Sequence, residues 1–452
     1  MSQSTALPPG GGSRTAASVI FDLPGYEVID ADDLPSGRRR IVVQAIDRRG
    51  VCPGCGTESA RIHAWVRQRV RDIPPPVGAD PVEVVVRKPR LVCQVHDCPR
   101  RTFTQVTAQL PTRARCLTRL REHVVAAVVD SGRAVSEVAA AVSLAWATVQ
   151  AAVTAAAITL PDVDRIRVYR LGIDEHRYAR ARYFRDDPSG KWRRVEPWKS
   201  TLVNLDTGQV LGVVDGRSAA PVTAWLAARS PAWRARVQVV AIDHSAPFRS
   251  AITAMLPGAR IAVDHWHLVR LANEMVTATR QRVARETLGR RGRKSDLVWA
   301  HRMLLLRAGN ELSPAATDRL LAVLAADDPT GQIGAAWGVK ERLRMLLATT
   351  DLSAAATARA AFEATVTAAA IPEADQLAET IRTWWPQIET FIETRVTNAK
   401  TEAANTTIKQ IKRTGRGYRN HDNYRTRILL HSARRTRRRH PLTQQGTTLN
   451  RE

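Results

Sequence analysis

Two sets of side chains in this chain are spaced for chemistry, one built on sulfur and one on oxygen. Cys52-Pro53-Gly54-Cys55-Gly56 puts two thiols three residues apart on a turn that Pro and Gly permit. Cys93 and Cys98 form a second, looser pair about 37 residues later. Two such pairs can close a tetrahedral zinc site, and four protein ligands would make it structural because no open position remains. His63 and His96 are nearby substitutes for a ligand, whereas Cys116 stands apart and reads as a core residue. The oxygen set begins with Asp174 and Asp243, each at the end of an apolar run (Leu171-Gly-Ile-Asp174 and Val237-Gln-Val-Val-Ala-Ile-Asp243). Neighbouring carboxylates repel unless cations lie between them. Hard oxygen ligands suit Mg²⁺ or Mn²⁺, and two ions ~4 Å apart commonly clamp a phosphoryl displacement. A third acid is found at Glu402, where Asn398, Glu402, Asn405 and Lys409 are spaced by four, three and four and so share one helix face. Arg413 and Arg416 follow and are placed to meet phosphates. Asp264 and His267 read as supporting groups beside the acids. Glu175 points away from Asp174 by strand alternation, and Asp206 belongs to the turn Asp206-Thr-Gly208.

The elements that must position these groups can be traced along the chain. Residues 161–288 alternate strand and helix patterns: a strand ending at Asp174, a hairpin around Asp206-Thr-Gly208, a helix over Pro221–Arg229, a strand ending at Asp243, a helix over Pro247–Met255, and a strand ending at Asp264 before a long helix. This is the element order of a ribonuclease-H-like core, in which the first and fourth strands are neighbours. The predicted architecture is thus multidomain α+β. A disordered leader (1–24) precedes a strand-rich zinc-binding, DNA-binding module (25–112) and a helix-turn-helix (113–160). In the latter, Ser136 caps a first helix, Ser143-Leu144 turn, and a second helix is suited to a major groove. The α/β core (161–288) is followed by an all-helical insertion (289–390), the last core helices (391–431) and a basic, disordered tail (432–452) that includes Arg434 to Arg439.

Bulk properties agree with a nucleic-acid partner. The 452 residues carry 68 Lys and Arg against 43 Asp and Glu, a formal charge of +25, and arginine forks suit phosphates. With 44% hydrophobic residues most of the chain can fold. No apolar run approaches the ~20 residues needed to span a bilayer, so no membrane partner is expected. The N-terminus has no apolar signal core, and reduced thiols fit a cytoplasmic, nucleoid-associated protein.

Several of these motifs, in order, resemble the bacterial insertion-sequence transposases of the "ISL-three" type, relatives of Mutator-like and other DDE transposases. The likeness runs through Cys52-Pro-Gly-Cys-Gly56, Cys98-Pro-Arg-Arg-Thr-Phe103, Gly172-Ile-Asp-Glu175, Ile242-Asp-His-Ser245, Val263-Asp-His-Trp-His267 and Asn398-Ala-Lys-Thr-Glu-Ala-Ala-Asn405. It implies an N-terminal zinc module, a helix-turn-helix, and a catalytic domain with a helical insertion before its last acid. The family's three acids fall on Asp174, Asp243 and Glu402, holding two Mg²⁺ or Mn²⁺ ions. Its acid-x-aromatic-His pattern falls on Asp264, Trp266 and His267, with His265 in place of an arginine. The expected activity is cleavage and strand transfer of double-stranded DNA, transposon ends and target, by a homodimer or larger assembly. The competing expectation is a DNA-binding regulator without catalysis.

Overall fold

The structure, a computed structural model, describes residues 15–76 and 78–441. Residues 1–14 of the expected leader and 442–452 of the expected tail lie outside the described residues. The chain divides into two units, one of residues 1–159 with 414–416 and one of the remainder.

The first unit begins with helix α1 (Ala16–Phe21), so the leader is not wholly without structure. The Thr15 hydroxyl accepts from the Ser18 amide, and Ser18 itself is buried. Strands β1 (Tyr26–Asp33), β2 (Arg39–Ala45), β3 (Gly50–Val51), β4 (Glu58–Ser59), β5 (Ile62–Val70), β6 (Val82–Val92) and β7 (Thr102–Thr104) follow. The main sheet runs β1-β2-β6-β5, with β7 on β6 and only β2–β6 parallel. Alternation along β2 and β6 buries Val43, Val84 and Val86 against Leu23, Tyr26, Leu110 and Leu117. The β3–β4 hairpin carries the first cysteine pair, of which Cys52 packs with Cys93, Cys98, Leu91 and Phe103 in a small core of its own while Cys55 is exposed. Cys116 is buried and bridges to Arg71, as a core cysteine would.

Helices α2 (Thr118–Val129), α3 (Val135–Ala141) and α4 (Trp146–Ala155) close the unit around Val124, Val128, Val138, Val149 and Val153. Ser136 is not the cap of α3. Ala134 occupies that position, and the Glu137 carboxylate accepts from its amide at 3.3 Å. Ser143 takes a left-handed φ of 53° between α3 and α4.

The second unit is built on β8 (Arg170–Arg177), a protruding ribbon of β9 (Arg182–Arg185) and β10 (Trp192–Val195), then β11 (Trp198–Asn204), β12 (Gln209–Asp215), helices α5 (Ala219–Ala227) and α6 (Pro231–Arg236), β13 (Val239–Ile242), α7 (Ala246–Met255), β14 (Arg260–Val263) and α8 (His265–Leu288). Its main sheet runs β12-β11-β8-β13-β14: antiparallel through β8, then parallel across β8, β13 and β14. The register pairs Ile242 with Ile173, so Asp243 and Asp174 leave two adjacent strands at the same end. Strand β13 is buried throughout as an apolar run, as is Leu171-Gly-Ile173 of β8 before the acids, the pattern of a sheet covered on both faces.

A helical stretch follows: α9 (Leu297–Ala300), α10 (Arg302–Leu306), α11 (Pro314–Asp327), α12 (Gln332–Ala348), α13 (Leu352–Ala369), α14 (Pro372–Thr383) and α15 (Trp385–Thr394). It shares one continuous apolar core with α8 and the sheet. Then α16 (Ala399–Thr414) and α17 (His421–Arg439) cover the sheet, burying Ile408, Ile411, Tyr424 and Ile428 against Val203, Val210 and Val213. The tail expectation is corrected here, because Arg434 to Arg439 continue α17. Asn420 caps that helix, Ser432 accepts from the Val210 amide, and unbranched arginines are good helix formers. Among the described residues no single helix is long and apolar enough to cross a membrane.

Candidate active site and cysteine cluster

The four cysteines converge. Cys52 and Cys98 sulfurs are 3.8 Å apart and those of Cys55 and Cys93 3.6 Å, and all four lie within 4.8 Å of one another. A tetrahedron with ~2.3 Å zinc–sulfur arms has edges of about 3.8 Å, so the spacing fits zinc. Amides set the cluster's charge: the Gly54 amide lowers the Cys52 thiol and the Thr57 amide lowers Cys55, to about 6. Against the pull of the Val95 and Arg100 amides, burial and neighbouring sulfurs raise Cys93 and Cys98. Four thiolates this close need a cation to ionise together. His96 instead faces Asp97 in solvent. Cys93→Ser is expected to abolish stoichiometric zinc in the purified chain and to make the segment around Cys52–Phe103 protease-sensitive, since structural zinc supplies folding energy outright. Full zinc content and unchanged proteolysis would contradict this role.

The acids meet in a cleft of about 770 Å³ in the second unit, lined by Asp174, Glu175, Asp243, His267, Glu402 and Lys409 among others. Asp174, mostly buried, accepts from the Glu175 amide (2.7 Å) and from Asn405 Nδ2 (2.7 Å). Burial raises its pKa, with those two hydrogen bonds opposing. Asp243 is pushed up to about 8, first by burial and then by the charge of Asp174. Glu175 is raised by burial and by Asp174 as well, and it lines the same cleft, contrary to the simple alternation argument. Glu402 stands in the first turn of α16, half exposed.

His267 is closer to the chemistry than its sequence position suggests. Its Nε2 lies 3.1 Å from Asp243 Oδ2 and 3.6 Å from Glu402 Oε1. Its imidazole therefore stands between those two acids. Among the described residues, the cysteines form the only set of three or more such ligands whose donor atoms all lie within 4.8 Å.

Asp264 and Asn398 lock α16 to the sheet. Asp264, buried, caps α8 through the Trp266 amide and accepts from the Asn398 amide with its other oxygen (2.9 Å each). Asn398 Nδ2 donates to Ile173 O (3.1 Å) and approaches Asp243 Oδ1 (3.5 Å). Asn405 is the end of a buried relay. Thr201 donates to Asn405 Oδ1 (2.9 Å), so the His176 Nδ1 lying 2.9 Å from Thr201 Oγ1 must carry a proton, leaving Nε2 to accept from Tyr424 (3.0 Å). Burial pushes His176 down to about 3, which keeps it neutral in this role. Every bond in the chain from Tyr424 to Asp174 thus points the same way. Lys409 lines the cleft, whereas Arg413, in the last turn of α16, and Arg416, beyond it, do not.

A four-thiolate knuckle followed by a covered mixed sheet whose acids share one cleft defines a zinc-binding protein with a centre suited to hard divalent metals. Residues 171–428 match the family pattern of ISL3-type DDE transposases, described as Transposase. Residues 48–98 match the zinc-finger of transposase IS204/IS1001/IS1096/IS1165. The chain belongs to the ISL3 transposase family. It is also 27% identical over 315 residues, 68% of this chain and 70% of the relative, to the transposase for insertion sequence element IS1001 of Bordetella parapertussis. The zinc-finger match and the cysteine cluster together support a structural zinc.

Proposed function

We propose that this chain is a DNA transposase that binds the terminal inverted repeats of an insertion sequence and carries out metal-dependent strand cleavage and strand transfer. The observation that carries the reading is the juxtaposition of Asp174 and Asp243 at adjacent strand ends with Glu402 facing them from α16. The β12-β11-β8-β13-β14 sheet with its flanking helices supports a ribonuclease-H-like core. The donor set fits two Mg²⁺ or Mn²⁺ ions: the oxygens are hard, and a buried like-charged pair demands compensation. Bound there, such ions supply Lewis-acid stabilisation and a nucleophile at neutral pH.

The chain's own residues do the rest. Asn405 fixes Asp174, Asn398 and Asp264 fix the start of α16, and His267 is placed to exchange its hold on Asp243 and Glu402 as the site fills. Lys409, Arg217 and Arg270 line the same cleft and would neutralise phosphates near the scissile bond. End recognition falls to the zinc module and to a helix-turn-helix of α3 and α4. A 115° bend between Val135–Ala141 and the helical stretch from Trp146 supports the latter. Pairing two ends calls for a dimer or larger assembly, acting on the bacterial nucleoid.

His267 lying between two of the acids favours a second reading, a DNA-binding regulator derived from a transposase. Incubating the protein with DNA carrying the element's ends, with Mg²⁺ or Mn²⁺, separates the two. Cleavage followed by joining is expected, and neither with Asp174→Ala. Metal-independent binding with no cleavage by the unmutated chain would establish the regulator, and cleavage without joining a nuclease.

A further inference from the structure

Between β8 and β11 the chain leaves the sheet and returns as a two-stranded ribbon, β9 and β10, paired only with itself. Isolated hairpins are marginal in water, and this one is exposed along almost its whole length. Yet it carries Tyr183, Phe184 and Trp192, which are 62, 48 and 69% exposed. The register sets Trp192 opposite Arg185 and Tyr183 opposite Arg194 on one face, and Phe184 opposite Arg193 on the other. Each face therefore presents aromatic rings beside guanidinium groups. From Arg180 to Arg194 there are six cationic side chains and two acids. One of those acids, Asp186, is occupied in the turn, where it accepts from Ser189.

The ribbon is also tied to the acidic cleft. Glu196 at its base holds Arg177 (3.0 Å), Arg194 (2.8 Å) and the indole of Trp198 (3.2 Å). Trp198 is a wall of that cleft, and Arg177 and Arg217 both lie over its ring. A strand leaving the acids along this wall would run onto the ribbon. The positive charge favours a polyanion. Rings with arginines in register suit unpaired bases, since every base offers a π-face while the arginines take phosphates.

We infer that the β9–β10 ribbon binds a DNA strand, stacking Tyr183, Phe184 and Trp192 on unpaired bases next to the acidic cleft. This rests on the transposase reading for DNA to be in the cleft at all.

The test uses the full chain in metal-free buffer, with two probes: a blunt duplex, and the same duplex with unpaired oligothymidine arms. The variant Tyr183→Ala/Phe184→Ala/Trp192→Ala is expected to bind the forked probe more weakly by roughly 100-fold or more, because it removes three stacking platforms at once. Its blunt-duplex affinity and melting temperature should stay unchanged, because the three side chains are exposed. Bromodeoxyuridine in the arms should photocrosslink the unmutated chain within residues 180–195. Unaltered forked-probe affinity, equal loss on both probes (a ribbon in a duplex groove), or crosslinks only elsewhere would each overturn the inference. A chain that binds both probes but never cleaves would refute the transposase reading alone and leave this comparison intact.

Discussion

Asp243→Asn is expected to abolish DNA cleavage while making the metal-free protein more stable. The carboxyl is mostly buried, with 19% of its side chain exposed, and burial together with Asp174 pushes its pKa up to about 8. The unfolded chain releases that proton near pH 4. Between those values the folded state binds the proton more tightly. The group's contribution is therefore fully present below about pH 4 and is lost as pH rises through about 8. Asparagine keeps the shape and removes the charge, so its advantage in metal-free buffer should grow from pH 6 to pH 9. Side-chain movement and water entry reduce the full shift to on the order of 1–3 kcal/mol, roughly 2–10 °C in melting temperature. Added Mg²⁺ or Mn²⁺ should reverse the order, stabilising the parent and leaving the variant unmoved. Cleavage should fall about a thousandfold or more, as expected when an electrostatic clamp on the transition state loses a ligand. Thermal melts at three pH values with and without metal, beside a cleavage assay, check both halves. A variant that melts lower than the parent in chelator at pH 9 would refute the account.

The acids and the cysteines were legible because their signals are local. Asp174 and Asp243 terminate buried apolar runs, and parallel register turns two strand ends into one place. The spacing of Asn398, Glu402, Asn405 and Lys409 marks a helix face, although only the fold reveals that Asn398 and Asn405 grip opposite sides of the site. Other features needed three dimensions. The relay from Tyr424 through His176 and Thr201 joins residues up to 248 positions apart, and each member alone reads as an ordinary core polar group. His267 reads as a supporting residue because helix spacing from Asp264 gives no hint that its ring reaches two acids. The β9–β10 ribbon escaped because its strands are short and bury nothing, so no hydrophobic period announces them. The end of the chain misled for the opposite reason. A run of arginines looks like a solvated tail until the apolar face of Tyr424, Ile428 and Ala433 is seen to continue into it.

Gly172→Ala is the second large expected effect, and it arises from space alone, since Gly172 lies in β8 without a left-handed φ. A Cβ there would stand 2.0 Å from Thr401 Oγ1, 2.7 Å from Leu205 Cδ2 and 2.9 Å from Asn398 Oδ1. Thr401 and Asn398 are fully buried at the start of α16, so neither can swing into solvent. The added methyl must lift α16 from the sheet. Overpacking of this kind costs about 1–3 kcal/mol. Its functional cost is larger, because Asn398, Glu402 and Asn405 ride on the same helix turns and a displacement near 1 Å can cost roughly 100-fold in rate. Thr401→Ala removes the closest atom, so the double variant should recover part of both losses, with a coupling of about 1–2 kcal/mol in the stability cycle. Alanine at 172 with parental melting and cleavage would mean that α16 is not seated on β8 as described. Additive losses in the double variant would place the clash elsewhere than at Thr401.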